Sequence, residues 1–293
     1  MSERFPLDWL RLREPHDLRA RSRPLARRFA ESVRRRAGNA PALVIDLGAG
    51  SGSGFRAIAP LVASDQDWRL VENDPALLAV QAAEIAQWAR GQGYPARLGS
   101  GVATIDLDAA RWQAHSVAHD LAGRLDALPM IGAHGVTASA LLDLVSLDWL
   151  ARLIARIAGL PFLAAVTVDG RRVWEPANPD DALVEALFAR HQRGDKGFGP
   201  ALGPAASAEA ASLLRRAGYR VESAAGDWRL GAGDDTVLEM MIDGAADAAR
   251  AVDADVGDRI ERWRATRHAA RIEGALRLAV GHVDILALPD ETC

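Results

Sequence analysis

The chain has 293 residues, 49% of them hydrophobic and 25% charged, with a net charge of −4 at pH 7. That balance provides material for a core, excludes a disordered chain and gives nucleic acid no overall electrostatic pull. Its one cysteine is Cys293, so no disulfide framework or cysteine metal cluster can form, and a cysteine nucleophile at a chain end is not expected. No metal site is expected from these residues. Lys196 is the one lysine against 34 arginines, a bias that GC-rich coding explains. The start MSERFPLDWLRLREP lacks the apolar run of a secretory signal, and no stretch of 18 apolar residues follows it. The expectation is a cytoplasmic protein with no membrane partner.

Residues 1–40 carry eleven arginines against five acids, and Leu10, Leu12, Leu18, Leu25, Phe29 and Val33 recur at mixed helical steps. The pattern predicts one or two amphipathic helices with a basic outer face. Acids interrupt the basic run, which favours a solvated helix face over a nucleic-acid patch. From Ala42 onward, short apolar runs alternate with helical stretches. Strands are expected at 42–47, 68–71, 102–107, 115–119, 134–138, 162–168, 220–223 and 236–242. Helices are expected at 55–63, 75–90, 147–157, 180–191, 208–217 and about 255–279, with an apolar tail at 283–288. This alternation is that of an α/β fold with a mostly parallel sheet. One domain with appendages is expected: an N-terminal helical cover at 1–40, a core at 41–245, and a C-terminal helix and tail at 246–293.

The first strand runs into Asp46-Leu47-Gly48-Ala49-Gly50-Ser51-Gly52-Ser53-Gly54. Glycines let this backbone approach a ligand closely, and the next helix offers free N–H groups. A dinucleotide fingerprint would place glycine at Ser53 or Phe55, and a P-loop would require a lysine here; neither fits. The spacing that fits is acid-x-Gly-x-Gly-x-Gly, and it resembles the first motif of class I S-adenosylmethionine (SAM)-dependent methyltransferases. Glu72, one helix and one strand later in Leu70-Val71-Glu72-Asn73-Asp74-Pro75, strengthens the resemblance. A carboxylate offers two acceptor oxygens for two ribose hydroxyls, and the following proline suits the first position of a helix.

The resemblance extends over about residues 40–245. It implies a doubly wound, seven-stranded, mostly parallel sheet with one antiparallel strand, an N-terminal helical cover and an inserted hairpin at about 102–119. The ligand would lie above the carboxyl ends of the first two strands. Cofactor contacts are implied for Asp46, Gly48, Ala49, Gly50, Gly52, Glu72, Asn73, Asp120, Leu121, Thr137, Ala138 and Ser139. Asp120 is preferred as the adenine acid over Asp106 or Asp108. Arg21 is chosen over Arg13 and Arg19 for the methionine carboxylate, because a planar guanidinium fork suits it. The fourth strand leads into Thr137-Ala138-Ser139-Ala140, not the Asn/Asp-Pro-Pro-aromatic tetrad of enzymes acting on base or glutamine amides. The expected substrate is therefore a small molecule with an oxygen or carbon nucleophile. An RNA or other nucleic-acid methyltransferase using the basic N-terminus, and a non-catalytic SAM-binding subunit, are the alternatives. A substrate loop at about 176–204 contributes Arg193, Asp195, Lys196 and Phe198. His191 and Asp143 are the candidate bases.

Overall fold

The computed structural model describes residues 5–290, so Cys293 lies outside the described residues. Strand β1 (Ala42–Leu47) is buried at every position, as a strand covered on both faces must be. It pairs in parallel with β2 (Gln66–Glu72) and β6 (Gly135–Ser139). β2 pairs in parallel with β5 (Arg111–Ala118), and β6 with β7 (Phe162–Glu175). On one face, Ala42 and Val44 meet Phe29 and Val33 of α2 (Arg23–Ala37), Phe55 and Ile58 of α3 (Ser53–Val62), and Ile85 of α4 (Pro75–Gly91). On the other, Ile45 and Leu47 meet α5 (Leu147–Arg156) and α7 (Ala206–Arg216) through Leu150, Leu153 and Leu214. The core is thus a mixed parallel and antiparallel sheet flanked by helices.

Three expectations are corrected. First, the sheet has ten strands among the described residues, not seven, in the order β3 (Ala96–Gly99), β4 (Val102–Asp106), β5, β2, β1, β6, β7, β10 (Arg277–Pro289), β8 (Tyr219–Ala225), with β9 (Trp228–Leu230) pairing β10. Second, the hairpin expected at 102–119 forms as β4 and β5 but within the sheet itself. Its second limb, β5, is the parallel partner of β2, and the added strands are β3 and β4 at the sheet edge. Third, residues 236–242 are not a strand but the start of α8 (Asp235–Val252). Buried Val237, Leu238, Ile242, Ala245, Ala246 and Ala249 continue one helical stripe, and a short apolar run cannot be told from a buried helix by periodicity alone. The strand expected there is β10, antiparallel to both β7 and β8. The C-terminal segment is therefore part of the sheet and not an appendage.

α9 (Gly257–Ile272) ends before Gly274, whose φ of 68° stops the helix short of the expected residue 279. β7 is twice as long as expected. Its pairing with β6 ends at Ala165, and from there to Glu175 it is held by β10 alone. α6 (Asp181–Gln192), α8 and α9 pack this ribbon through Val184, Ile242 and Trp263 against Trp174 and Leu278.

Where β7 leaves the parallel sheet, the β7–β10 register shifts between Val283 and Ile285, and Val166 adopts a φ of 56°. For a β-branched residue that conformation costs roughly 1–3 kcal/mol. Asp284 holds it: Oδ1 accepts Val166 N–H at 2.8 Å and Oδ2 accepts Ser22 N–H, just before α2, at 2.7 Å. Asp284→Ala leaves both N–H groups without this acceptor, and a loss of about 2–4 kcal/mol is expected. Urea unfolding checks it, with Asp284→Asn falling between the variant and the parent.

Candidate functional site

The turn after β1 is built from left-handed backbone: φ is 62° at Gly48, 56° at Gly50 and 90° at Gly52. Other L residues rarely adopt such angles. Gly54 is required for a different reason, since a Cβ there would stand 2.5 Å from Asp46 Oδ2. The Gly50 peptide is clamped from both sides. Its N–H donates to Glu72 Oε2 at 2.9 Å, and its carbonyl accepts from Gln81 Nε2 at 2.8 Å. Glu72 Oε1 accepts the N–H groups of Asn73 and Asp74 at 2.8 and 3.0 Å. One carboxylate therefore ties together the turns at the carboxyl ends of β1 and β2, where open α/β sheets bind ligands.

α1 (Leu7–Ala20) crosses this turn. The Arg56 guanidinium donates to Glu14 at 2.6 and 2.5 Å and to the Ser51 carbonyl at 2.7 Å, so it bonds the helix and the glycine turn at once. Arg13 forks onto Asp17, which also accepts from the Trp228 indole at 3.1 Å, and its guanidinium lies 5.3 Å from the Trp228 ring centre.

Two cavities open along the edge of the sheet. The first, of about 220 Å³, is walled by Gly48, Gly50, Glu72, Asn73, Leu121 and Ser139, with Leu10 and Arg13 above. A recess of about 50 Å³ extends along the turn to Ala49 and Asp46. The second, of about 420 Å³, lies between α1, the β7–β10 ribbon, α6 and α8, with Trp9, Val166, Phe188, Met240 and Met241 on its wall. Arg13, Ala140, Leu144 and Lys196 border both cavities.

The residues singled out in the sequence divide accordingly. Asp46, Gly48, Ala49, Gly50, Glu72, Asn73, Leu121 and Ser139 line the first cavity or its recess. Asp143 and His191 line the second, and Lys196 borders both. Phe198 is on the wall of the first and packs edge-on to Trp149, ring centres 5.2 Å apart.

The remainder lie elsewhere. Gly52 shapes the turn before α3. Thr137 and Ala138 are buried within β6, the Thr137 hydroxyl donating to the Leu163 carbonyl. Asp120 folds back on its own turn and accepts Ala122 N–H at 3.0 Å, while His119 and Leu121 face the cavity. Asp106 is at the sheet edge with Arg97 and Arg111. Arg21 sits beyond the end of α1, turned inward to donate to Ser139 Oγ at 2.8 Å; Arg13, a full turn and more earlier, reaches the cavity instead. Arg193 and Asp195 do not line either cavity. Asp195 shapes its loop by accepting the N–H groups of Gly197 and Gly199 at 2.7 and 3.0 Å. Arg172, His282 and the paired Met240 and Met241 carried no motif and were missed.

Asp46 is buried, and neither carboxylate oxygen has a hydrogen-bond partner. Burial pushes its carboxyl up to about 7, against the opposing pull of Arg21. A folded-state value above that of an unfolded aspartate means the protonated form favours folding. This contribution is full below about pH 4 and is lost as pH rises through 7. Asp46→Asn is uncharged throughout, so its stability is expected to gain on the parent as pH rises from 4 to 8. Thermal melts across that range check this; a constant offset would refute the titration.

No family model matches the chain, and no curated protein matches it. Among solved structures it is similar to a cyclopropane-fatty-acyl-phospholipid synthase-like protein from Lactobacillus casei, at 13% identity and a TM-score of 0.47, over 94% of this chain and 99% of that one. It is also similar to a SAM-dependent methyltransferase from Thiobacillus denitrificans in complex with S-adenosyl-L-homocysteine, at 16% identity and 0.43, over 97% and 99%. A third is a geranyl diphosphate C-methyltransferase from Streptomyces coelicolor A3(2), at 11% and 0.37, over 88% and 75%. At these scores the likeness carries no weight in assigning a function, which rests on the site itself.

Proposed function

We propose that the chain is a class I SAM-dependent methyltransferase acting on a small-molecule acceptor. The observation that carries the reading is Glu72, set at the end of β2 with its carboxylate on the cavity wall and bonded to the glycine turn of β1. The residues present fit the cofactor. The glycine turn has no side chains to block an approach, Glu72 Oε2, which accepts one N–H, keeps capacity for a ribose hydroxyl, Leu77 and Leu121 are apolar walls for a base, and Arg13, forked onto Asp17, is still a cation on the wall for a carboxylate. Bound SAM would supply an electrophilic methyl group. The chain's own part is proximity, alignment and exclusion of water.

The acceptor belongs in the second cavity, which meets the first at Ala140, Leu144 and Lys196. Asp143 and His191 on its wall are the groups to take a proton from an oxygen acceptor. A cavity walled by side chains from several elements suits a small molecule better than a polymer. On the arginine-rich α2, Arg28 is already paired with Glu222. No helix among the described residues is long and apolar enough to cross a membrane.

Calorimetry with S-adenosylhomocysteine tests the cofactor assignment. Glu72→Ala is expected to weaken binding at least about tenfold, since hydrogen bonds to a charged group are worth about 1.5–3 kcal/mol each. Equal affinity would remove the assignment. Arg13→Met is expected to weaken S-adenosylhomocysteine binding while leaving adenosine binding unchanged, because adenosine lacks the carboxylate. Equal losses for both ligands would exclude Arg13 from that role.

A further inference from the structure

Three glycines line the larger cavity: Gly170, Gly244 and Gly281. Two are required by their surroundings. Gly170 has a φ of 84°, and a Cβ there would stand 2.8 Å from Pro204; a Cβ at Gly281 would overlap the Asp169 carboxylate. Gly244 is the exception. It lies in the middle of α8 without a positive φ, and a Cβ there would meet nothing within 4 Å. Neither the backbone nor the close approach of a neighbouring helix calls for glycine here. In a helix interior glycine is less stable than alanine, and the same stretch has alanine at 245, 246, 248 and 249. A local preference broken with no structural return marks a functional position.

The space over Gly244 belongs to the cavity, and the walls around it are apolar and reachable. Gly244 is itself exposed. One turn away on the same helix face are Met240, which is 41% exposed, and Ala248; Met241 and, from α6, Phe188 are partly exposed on the same wall. None of these residues lines the first cavity, so they form the part of the larger one away from the seam. Charge is at the seam itself: Arg13 and Lys196 border both cavities, and Asp143 precedes Leu144, which does too. α6 passes from Phe188 through His191 and Gln192 toward the loop that carries Lys196, so its wall turns from apolar to polar in that direction. Arg171, also on the wall, is occupied by Asp169 and Asp227. A volume of about 420 Å³ is in the range of small-ligand sites.

We propose that this cavity takes an acceptor with an apolar body, polar end toward the seam, and that the gap at Gly244 receives the end of that body farthest from the seam. Gly244 thereby sets the longest body the site accepts. That the occupant is the methyl acceptor rests on the methyltransferase reading.

The test is calorimetric titration of the full chain with 1-butanol, 1-hexanol and 1-octanol, with and without saturating S-adenosylhomocysteine. Affinity of the parent is expected to rise about fourfold per methylene, as each leaves water for an apolar wall. Gly244→Leu, which fills the gap, is expected to lose at least tenfold on octanol and far less on butanol. Gly244→Ala is expected to raise the Tm while losing less on octanol. A parent series that is flat with chain length overturns the proposal without needing any variant to fold. Octanol binding by Gly244→Leu equal to the parent's overturns it, and so does a lowered Tm in Gly244→Ala, which would make the glycine a packing requirement. Displacement of octanol by S-adenosylhomocysteine would place the alcohol in the first cavity and overturns it as well. If the alcohols behave as expected and S-adenosylhomocysteine does not bind, the methyltransferase reading fails while the apolar site stands. If S-adenosylhomocysteine binds and the series is flat, the reverse holds.

Discussion

The Asp284 carboxylate joins two parts of the chain that nothing in their local sequence brings together. Through Ser22 it fixes the start of α2, and through Val166 it fixes the bulge where β7 departs from the parallel sheet. The larger cavity opens beside what these anchors position, between α1 and the β7–β10 ribbon. A backbone conformation as costly as that of Val166 persists only where its surroundings over-determine it. Here a buried carboxylate does so, and its own burial is offset by the two N–H groups it accepts. The reward for the strain is geometric: the ribbon can run on past the parallel sheet and wall a cavity beside its edge.

The two N-terminal helices are attached in different ways. α2 buries seven residues, among them Leu25, Phe29 and Val33, and belongs to the core. α1 buries only His16 and Asp17; Trp9 and Leu12 pack on the apolar cluster of the ribbon, and polar contacts add to this: Arg56 to Glu14, Asp17 to the Trp228 indole, and Arg11 to Glu84. The Arg11–Glu84 pair is half exposed, where such pairs contribute little; the Arg56 fork is buried and reaches the glycine turn as well as the helix. Contacts to the turn and to the cover thus run through one guanidinium.

Local chemistry was legible in the sequence and long-range geometry was not. The glycine turn and Glu72 could be read because left-handed backbone admits few other residues and because a strand and a helix set the spacing. β5 could be read only approximately, since Asp120 at its end looks the same whether it faces a ligand or caps its own turn. Arg21 and Arg13 could not be told apart in the sequence, because α1 ends at Ala20 and the residue after a helix end points where the chain turns next, here to Ser139. The strand at 236–242 failed because its apolar run is the first turns of a helix whose later positions are alanines. Arg172 and His282 carried no signal, because their burial depends on α6 and α8 folding against a ribbon whose two strands are far apart in sequence.

The seam between the cavities is where a small side chain matters most. Ser139 is the last residue of β6, and Ala140 follows with a φ of 50°, its N–H donating to the Ala165 carbonyl at 3.0 Å. That bond keeps the chain on the sheet for one more residue, so Ala140 stays on the wall of both cavities. On the opposite side Lys196 is presented by a loop that Asp195 braces internally. Ala140 is thus one of the shared walls of the two cavities, with Arg13, Leu144 and Lys196. Enlarging Ala140 would narrow the seam that it shares with Leu144 and Lys196, and its left-handed φ already disfavours larger side chains there.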